Sequence, residues 1–213
     1  MFQVLQLGMD RIETPIGTML VVGDRDGNIR ATDWSDCEAR MHRLLRRHYG
    51  ESGFRLESSR NLKDLTDGIG RYFAGELEAI NALPVKTAGT PFQREVWRAL
   101  RQIPCGTTIS YAELARRVGR PSAVRAVGLA NGSNPVGIVV PCHRVIGSGG
   151  SLTGYTGGIE RKAWLLEHES QVERRLPREL SSMSGDQSTT QARIVRTRLP
   201  EPRRKDLGLS ARS

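Results

Sequence analysis

Cys142 and His143, adjacent in "PCHRV" (141–145), are the residues of this chain best suited to chemistry. A thiol is a poor nucleophile until it loses its proton, and a base, a positive charge or a helix N-terminus promotes that loss. Imidazole is such a base near neutral pH, and a carboxylate from elsewhere is expected to orient it. Glu160, Glu167 and Glu169 are the local candidates. Pro141 biases Val140 toward extended geometry. In a strand, Cys142 and His143 would point to opposite faces, so their cooperation needs a turn in the backbone or a water between them. Taken alone, a Cys-His dipeptide is more often structural than catalytic, and the surrounding elements have to decide.

The run "GIVV" (137–140) before the motif reads as a short buried strand. Upstream, "TPFQREVWRALRQI" is a helix with Thr90 as N-cap and Pro91 at the first helical position. Phe92, Val96, Trp97, Leu100 and Ile103 form its apolar stripe. "PCGTT" is a turn. "SYAELARRVG" starts a second helix at Ser110, with Glu113 three residues on as a capping box, and stops at Gly119. A third, from about Ser122 to Ala130, completes a helix, four-residue turn, helix arrangement typical of DNA-binding modules. It carries Arg125 among Ala123, Ala126, Gly128, Ala130 and Gly132. Small side chains let a helix approach DNA closely, and equally let helices pack tightly; this stretch leaves both open. "GSGGSLTGYTGG" lacks the lysine and spacing of a phosphate-binding loop. "GIERKAWLLEHES" is a closing helix with Trp164, Leu165 and Leu166 as its apolar residues.

The first half reads differently. "RIETPIGTMLVVGDRDGNIRATDW" is a β-hairpin turning at Asp26-Gly27. "DCEARMHRLLRRHYG" is a helix with Asp36 as N-cap and Gly50 as its stop. Met41, Leu44 and Leu45 lie on one face. "LKDLTDGIGRYFAGEL" is another helix, ending near Gly75. The connector "NALPVKTAGTP" marks a boundary. The expected organisation is an N-terminal α/β domain (1–86), a mainly helical domain with the helix-turn-helix and the Cys-His pair (87–170) and a disordered basic tail (171–213), polar and almost free of large apolar residues.

Charge sharpens this division. Residues 1–100 hold 14 Lys/Arg against 14 Asp/Glu, whereas 101–150 hold six against one and 171–213 hold ten against five. The formal +9 therefore sits around the Cys-His pair and in the tail, where it favours phosphate backbones through counterion release. No apolar run approaches the ~20 residues that span a bilayer, and the start shows no signal peptide. Three cysteines, in spacings unlike a zinc site or a disulfide framework, fit a reducing cytoplasm.

Read together, "TPIGT", "RYFAGEL", "TPFQREVW", "ISYAELA", "RPSAVRAVGLANGSNPVGIVVPCHRVIG" and "TGYTGGIERKAWLLEHE" stand in one order over roughly residues 10–170. This resembles the O6-alkylguanine-DNA alkyltransferases, most closely the constitutive bacterial type. The resemblance implies an α+β fold, with a ribonuclease-H-like N-terminal domain before a mainly helical winged helix-turn-helix domain. It implies direct, single-turnover transfer of a methyl or alkyl group from O6-alkylguanine, flipped out of double-stranded DNA, to Cys142; O4-methylthymine as a second substrate is left open. Cys142 matches the acceptor, His143 the base acting through a water, and Glu169 the carboxylate that orients it. Asn134 matches the asparagine that holds the turn carrying the cysteine, and Tyr111 the hydroxyl that donates to guanine N3. Such a donor suits a leaving group that gains negative charge. Val145, Tyr155 and Thr156 match the guanine pocket. Arg125 matches the arginine that fills the vacated stack, with Ala123, Ala126, Gly128 and Ser148 on the DNA. The helix enters the minor groove in such proteins, which accounts for the small residues better than base-edge readout does.

Some relatives carry a structural zinc in the N-terminal half. Here that half offers Cys37, His42 and His48, short of a four-ligand set, so no metal and no cofactor are expected. The protein is expected to be a monomer without membrane association. A damage sensor that lacks transfer activity would lack Cys142. A thiol hydrolase leaves the helix-turn-helix without a purpose, and a transcription regulator leaves Cys142, His143 and Glu169 without one.

Overall fold

The computed structural model describes residues 4–58 and 62–175. The first half is built on a four-stranded sheet of β1 (Leu5–Thr14), β2 (Gly17–Asp24), β3 (Ile29–Trp34) and β4 (Phe54–Ser58), in the order β3-β2-β1-β4. β1, β2 and β3 form an antiparallel meander, and β4 adds parallel to β1. The Asp26-Gly27 turn is present, with Gly27 at φ 79° as a left-handed turn residue. The expected hairpin is thus its C-terminal part; β4, an edge strand with one half-buried face, carries too weak an alternation to be read from sequence.

β2 explains how the sheet is buried. Its apolar run Met19-Leu20-Val21-Val22 is buried throughout, as expected of a strand covered on both faces. Met19 and Val21 point into the main core, while Leu20 and Val22 point to the other face. There Met41 and Leu45 of α1 (Glu38–Tyr49) cover them. Asp36 is not the N-cap of α1. A 3-10 turn over Ser35–Cys37 precedes the helix, and the Asp36 carboxylate pairs with Arg161 at 3.0 Å instead.

The main core runs without a break from the sheet and α2 (Lys63–Phe73) into the second half. There α3 (Pro91–Leu100), α4 (Tyr111–Arg117) and α5 (Val124–Gly132) pack together. Thr90 caps α3 in a full capping box with Gln93, and Pro91 opens the helix. The Ser110 hydroxyl accepts from Glu113 N at 3.1 Å, but the Glu113 carboxylate turns to Arg116 and Arg117, so only half of that box forms. α4 and α5 are the helix pair expected, joined by 118–123, and Trp97 Nε1 donates to Ala130 O at 2.8 Å to lock α3 on α5. β5 (Ile109–Ser110) and β6 (Val145–Ile146) form a two-stranded parallel sheet. α6 (Ile159–Arg175) is the last element among the described residues and runs five residues past the boundary drawn at 170. The rest of the expected disordered tail lies outside the described residues.

"GIVV" is not a strand. Residues 136–140 form a turn in which Val140 N donates to Val136 O at 2.9 Å and Ile138 adopts φ 69°. That conformation is uncommon for a β-branched residue and costs on the order of 1–3 kcal/mol. The turn is held from outside: Thr32, on the edge strand β3, donates through N to Pro135 O (2.9 Å) and through Oγ1 to Gly137 O (2.8 Å). The sheet edge of the first half thereby carries the segment that leads to Cys142.

Candidate active site

Asn134 shapes this segment from within. Its Nδ2 donates to Val140 O at 2.8 Å and its Oδ1 accepts from Val136 N at 3.0 Å, closing the turn across its own backbone. The chain then enters a 3-10 turn over Cys142–Arg144, so Cys142 and His143 are not in an extended segment.

The Cys142 thiol is buried, 7% exposed. Burial pushes its pKa up, opposed by the Asn134 side chain and by the charges of Lys162 and Arg40, so it rests as a thiol. It lines a cavity of about 20 Å³, room for about one water, between Asn134, Gly137, Tyr155 and Thr156 and, from the first half, Trp34 and Arg40.

His143 is fully buried. Its Nε2 donates to Glu169 Oε1 at 2.9 Å, and its Nδ1 has no partner among the described residues. Burial holds its pKa below the ordinary value, against the attraction of Glu169. It is therefore neutral at pH 7, with the proton on Nε2 and an open lone pair on Nδ1.

Glu169 receives five donors. Oε1 accepts from Tyr72 Oη (2.8 Å), His143 Nε2 (2.9 Å) and Arg144 Nη2 (2.8 Å); Oε2 accepts from Arg144 Nε (3.0 Å) and Gly106 N (3.0 Å). Burial alone would raise its pKa, but His143 and Arg144 hold it well below the carboxylate range. Of the three carboxylates left open by sequence, Glu160 and Glu167 lie away from the buried face of α6; Lys162, Leu165 and Glu169 form that face.

Lys162 and Arg144 are site residues that sequence reasoning missed. Lys162 Nζ, fully buried, donates to Val145 O (2.6 Å) and Thr153 O (2.8 Å), and burial pushes its pKa down to about 8. A signal was available: Lys162, Leu165 and Glu169 fall at i, i+3 and i+7, so two charges share the inward stripe. Arg144 was counted with the DNA-facing charge, yet it is 1% exposed and committed to Glu169. Tyr72 lies in the quoted "RYFAGEL", but nothing in that stretch assigned it to the site.

Tyr111 opens α4, half-buried, with Oη 3.4 Å from Thr153 O. Burial first, then the nearby Cys142, raises its pKa, so it stays a proton donor. Val145 is fully buried and pairs with Ile109, and Tyr155 meets Cys142 in the cavity while Thr156 is exposed at its rim.

Arg125, Ala126 and Ser148 are exposed, and Ala123 and Gly128 are half-buried. They stand apart from the thiol, on the surface of α5 and the loop after β6. An added Cβ at Gly128 would come no closer than 3.8 Å to Tyr111, and at Gly132 it would meet nothing within 4 Å. Packing therefore does not demand glycine at either position, which favours an open approach surface over tight helix packing there. Ala130, by contrast, is buried at 3% and belongs to the core.

Fold and site together define a class: an α+β protein whose helix-turn-helix half carries a buried cysteine backed by a histidine–carboxylate pair. Family comparison agrees. Residues 91–171 match the 6-O-methylguanine DNA methyltransferase DNA binding domain, and residues 10–87 match the ribonuclease-like domain of the same proteins. The methylated-DNA–protein-cysteine methyltransferase of Shigella flexneri is 52% identical over 166 residues, covering 78% of this chain and 97% of that one. The crystal structure of Mycobacterium tuberculosis O6-methylguanine methyltransferase superposes with a TM-score of 0.65 at 38% identity, over 84% of this chain and 99% of the other. The M. tuberculosis protein in complex with DNA gives 0.63 at 37% identity, over 79% and 94%. The chain belongs to the methylated-DNA–protein-cysteine methyltransferases, of the Ogt type.

Among the described residues, no helix is long and apolar enough to cross a membrane, and no group of three or more His, Cys, Asp or Glu is placed to hold a metal ion.

Proposed function

We propose that this chain repairs O6-alkylguanine in double-stranded DNA by moving the alkyl group onto Cys142 Sγ, once per molecule. The observation that carries this reading is the pairing of His143 Nε2 with Glu169, which leaves Nδ1 as a buried, unpartnered acceptor one residue from a buried thiol. In the reaction, Nδ1 takes the Cys142 proton through a water. The thiolate attacks the alkyl carbon, the S–C bond forms and the C–O6 bond breaks. Tyr111 donates a hydrogen bond to guanine N3 as charge develops on the leaving base, and the proton taken from Cys142 passes through water to N1 of the guanine anion. The products are S-alkylcysteine and guanine. A thioether is stable, and among the described residues no group beside it is equipped to remove the alkyl, so the reaction is stoichiometric.

The target atom is inside the duplex stack, so the base has to be flipped out at a cost of a few kcal/mol. The exposed α5 face with Arg125 supplies the compensating contacts, and Arg125 fills the vacancy. The protein acts as a monomer in the cytoplasm, a setting that fits three cysteines in spacings unlike a disulfide framework.

The test is intact-protein mass after mixing with a duplex that contains O6-methylguanine. One added methyl per chain, mapped to Cys142, is expected, and Cys142→Ala should bind the duplex without gaining mass. Repeated turnover, or a methyl on another residue, would overturn the reading.

A further inference from the structure

Glu169 is held by more than the relay requires. Of the three donors on Oε1, one comes from the other half of the protein: Tyr72 on α2, fully buried, 2.8 Å from the same oxygen that His143 uses. Tyr72 is itself pinned to α6. Its backbone oxygen lies 2.9 Å from His168 Nε2, and its ring meets the His168 ring edge-on at 5.4 Å. Phe73, next in sequence, stacks at 6.4 Å on His168, which in turn stacks at 4.8 Å on Trp164. The end of α2 therefore clamps α6 at the turn that carries the carboxylate.

We propose that Tyr72 is a positioning residue of the transfer reaction: its hydroxyl fixes the Glu169 carboxylate against His143 and limits the negative charge that His143 feels. This rests on the reading of His143 as the base. Two physical arguments support it. Without Tyr72, His143 and Arg144 would still hold Oε1, and Arg144 and Gly106 N would hold Oε2, so the Tyr72 hydroxyl tightens one already oriented carboxylate at the oxygen that faces His143. Each donor also withdraws charge from the carboxylate, so Glu169 stabilises a protonated imidazole less. Burial and the Glu169 charge raise the Tyr72 pKa well above its ordinary value, so the hydroxyl remains a donor over the working pH range. The other groups around the pair are Arg144 from the active-site turn, Cys105 and Gly106 N from the loop after α3, and Lys162 and His168 from α6. Tyr72 is the contribution of the N-terminal half to this cluster, and it gives that half a part in the chemistry beyond supporting the turn before Cys142.

The sign follows from the geometry. Without the hydroxyl, Glu169 presents more charge to His143, the imidazole binds its proton more tightly, and the free base appears at higher pH. The experiment measures the single-turnover rate of methyl transfer from a saturating O6-methylguanine duplex across pH, for wild type, Tyr72→Phe and His143→Gln, with melting temperatures alongside. Tyr72→Phe retains the ring contacts. Its acid limb should move up by about half a pH unit, about threefold slower on the limb, with the plateau within about twofold of wild type. A plain structural defect lowers the rate equally at every pH; an unmoved or downward-shifted limb overturns the proposal, whatever the plateau does. His143→Gln should lose the limb. If it keeps the wild-type limb, the assignment of His143 as base fails and this inference falls with it. If His143→Gln loses the limb while Tyr72→Phe leaves it in place, only the role of Tyr72 fails.

Discussion

Arg144 grips Glu169 with two parallel hydrogen bonds, Nη2 to Oε1 at 2.8 Å and Nε to Oε2 at 3.0 Å, and both side chains are withdrawn from solvent. Two further Arg144 N–H groups go to Ile103 O at 2.6 Å and Cys105 Sγ at 2.9 Å. The residue two positions after Cys142 thus serves as the counter-charge of the Glu169 carboxylate and is withdrawn from the basic surface.

Glu169→Gln should be costly in two ways. It leaves the Arg144 cation buried without a partner, for which about 3–5 kcal/mol of destabilisation is expected. It also removes the group that orients His143, so transfer should fall to a small residue of the wild-type rate. Acid stability carries the same signature. The folded pKa of Glu169 is depressed below its ordinary 4.5, so its contribution is present above that value and lost as pH falls beneath it. Urea unfolding at pH 7 and at pH 4 checks both: the wild type should lose more stability between the two than Glu169→Gln does. A variant as stable as wild type at pH 7 would show that water reaches Arg144.

Arg125→Ala should slow repair in duplex DNA far more than reaction with free O6-benzylguanine. Arg125 is exposed on α5, and among the described residues nothing pairs with its guanidinium. It is therefore free to enter the stack, and its loss should act on base flipping and leave the displacement alone. Single-turnover rates on the two substrates decide it; equal slowing of both would place Arg125 in the chemistry or in the fold.

Cys105→Ser should leave the transfer rate within about twofold of wild type, because a hydroxyl still accepts from Arg144. Burial pushes the Cys105 thiol up to about 12, although Arg144 lies against it. It is a structural acceptor with almost no thiolate at neutral pH. In native protein, a thiol-alkylating reagent followed by peptide mapping should leave Cys105 unmodified. A lost activity with an intact fold would reveal a second nucleophile.

Local features of the site were legible because the forces behind them act within a few residues. Thr90-Pro91-Gln93 sets the start of α3, Ser110 caps α4, and Asp26-Gly27 turns the sheet, each through contacts between near neighbours. The Cys142–His143 pair was visible for the same reason, and the order of motifs around it pointed to the family. Where local signals mislead, an outside contact had won. "GIVV" has the composition of a strand, but Asn134 bonds its ends together and Thr32 draws it onto the sheet edge. Asp36 has the type of an N-cap, but Arg161 takes its carboxylate.

From residue types and spacing alone, the sequence offered a candidate nucleophile, a candidate base and three candidate carboxylates, and the order of motifs around them pointed to one set. Only the tertiary structure shows why Glu169 serves. α6 turns Lys162, Leu165 and Glu169 inward, and Tyr72, His143, Arg144 and Gly106 N converge on one carboxylate from segments up to 97 positions away in the chain. Charged residues read as surface in a sequence, because burying a charge is expensive. That cost is met here only when donors distant in sequence meet in one dry place, and no local pattern encodes such a meeting.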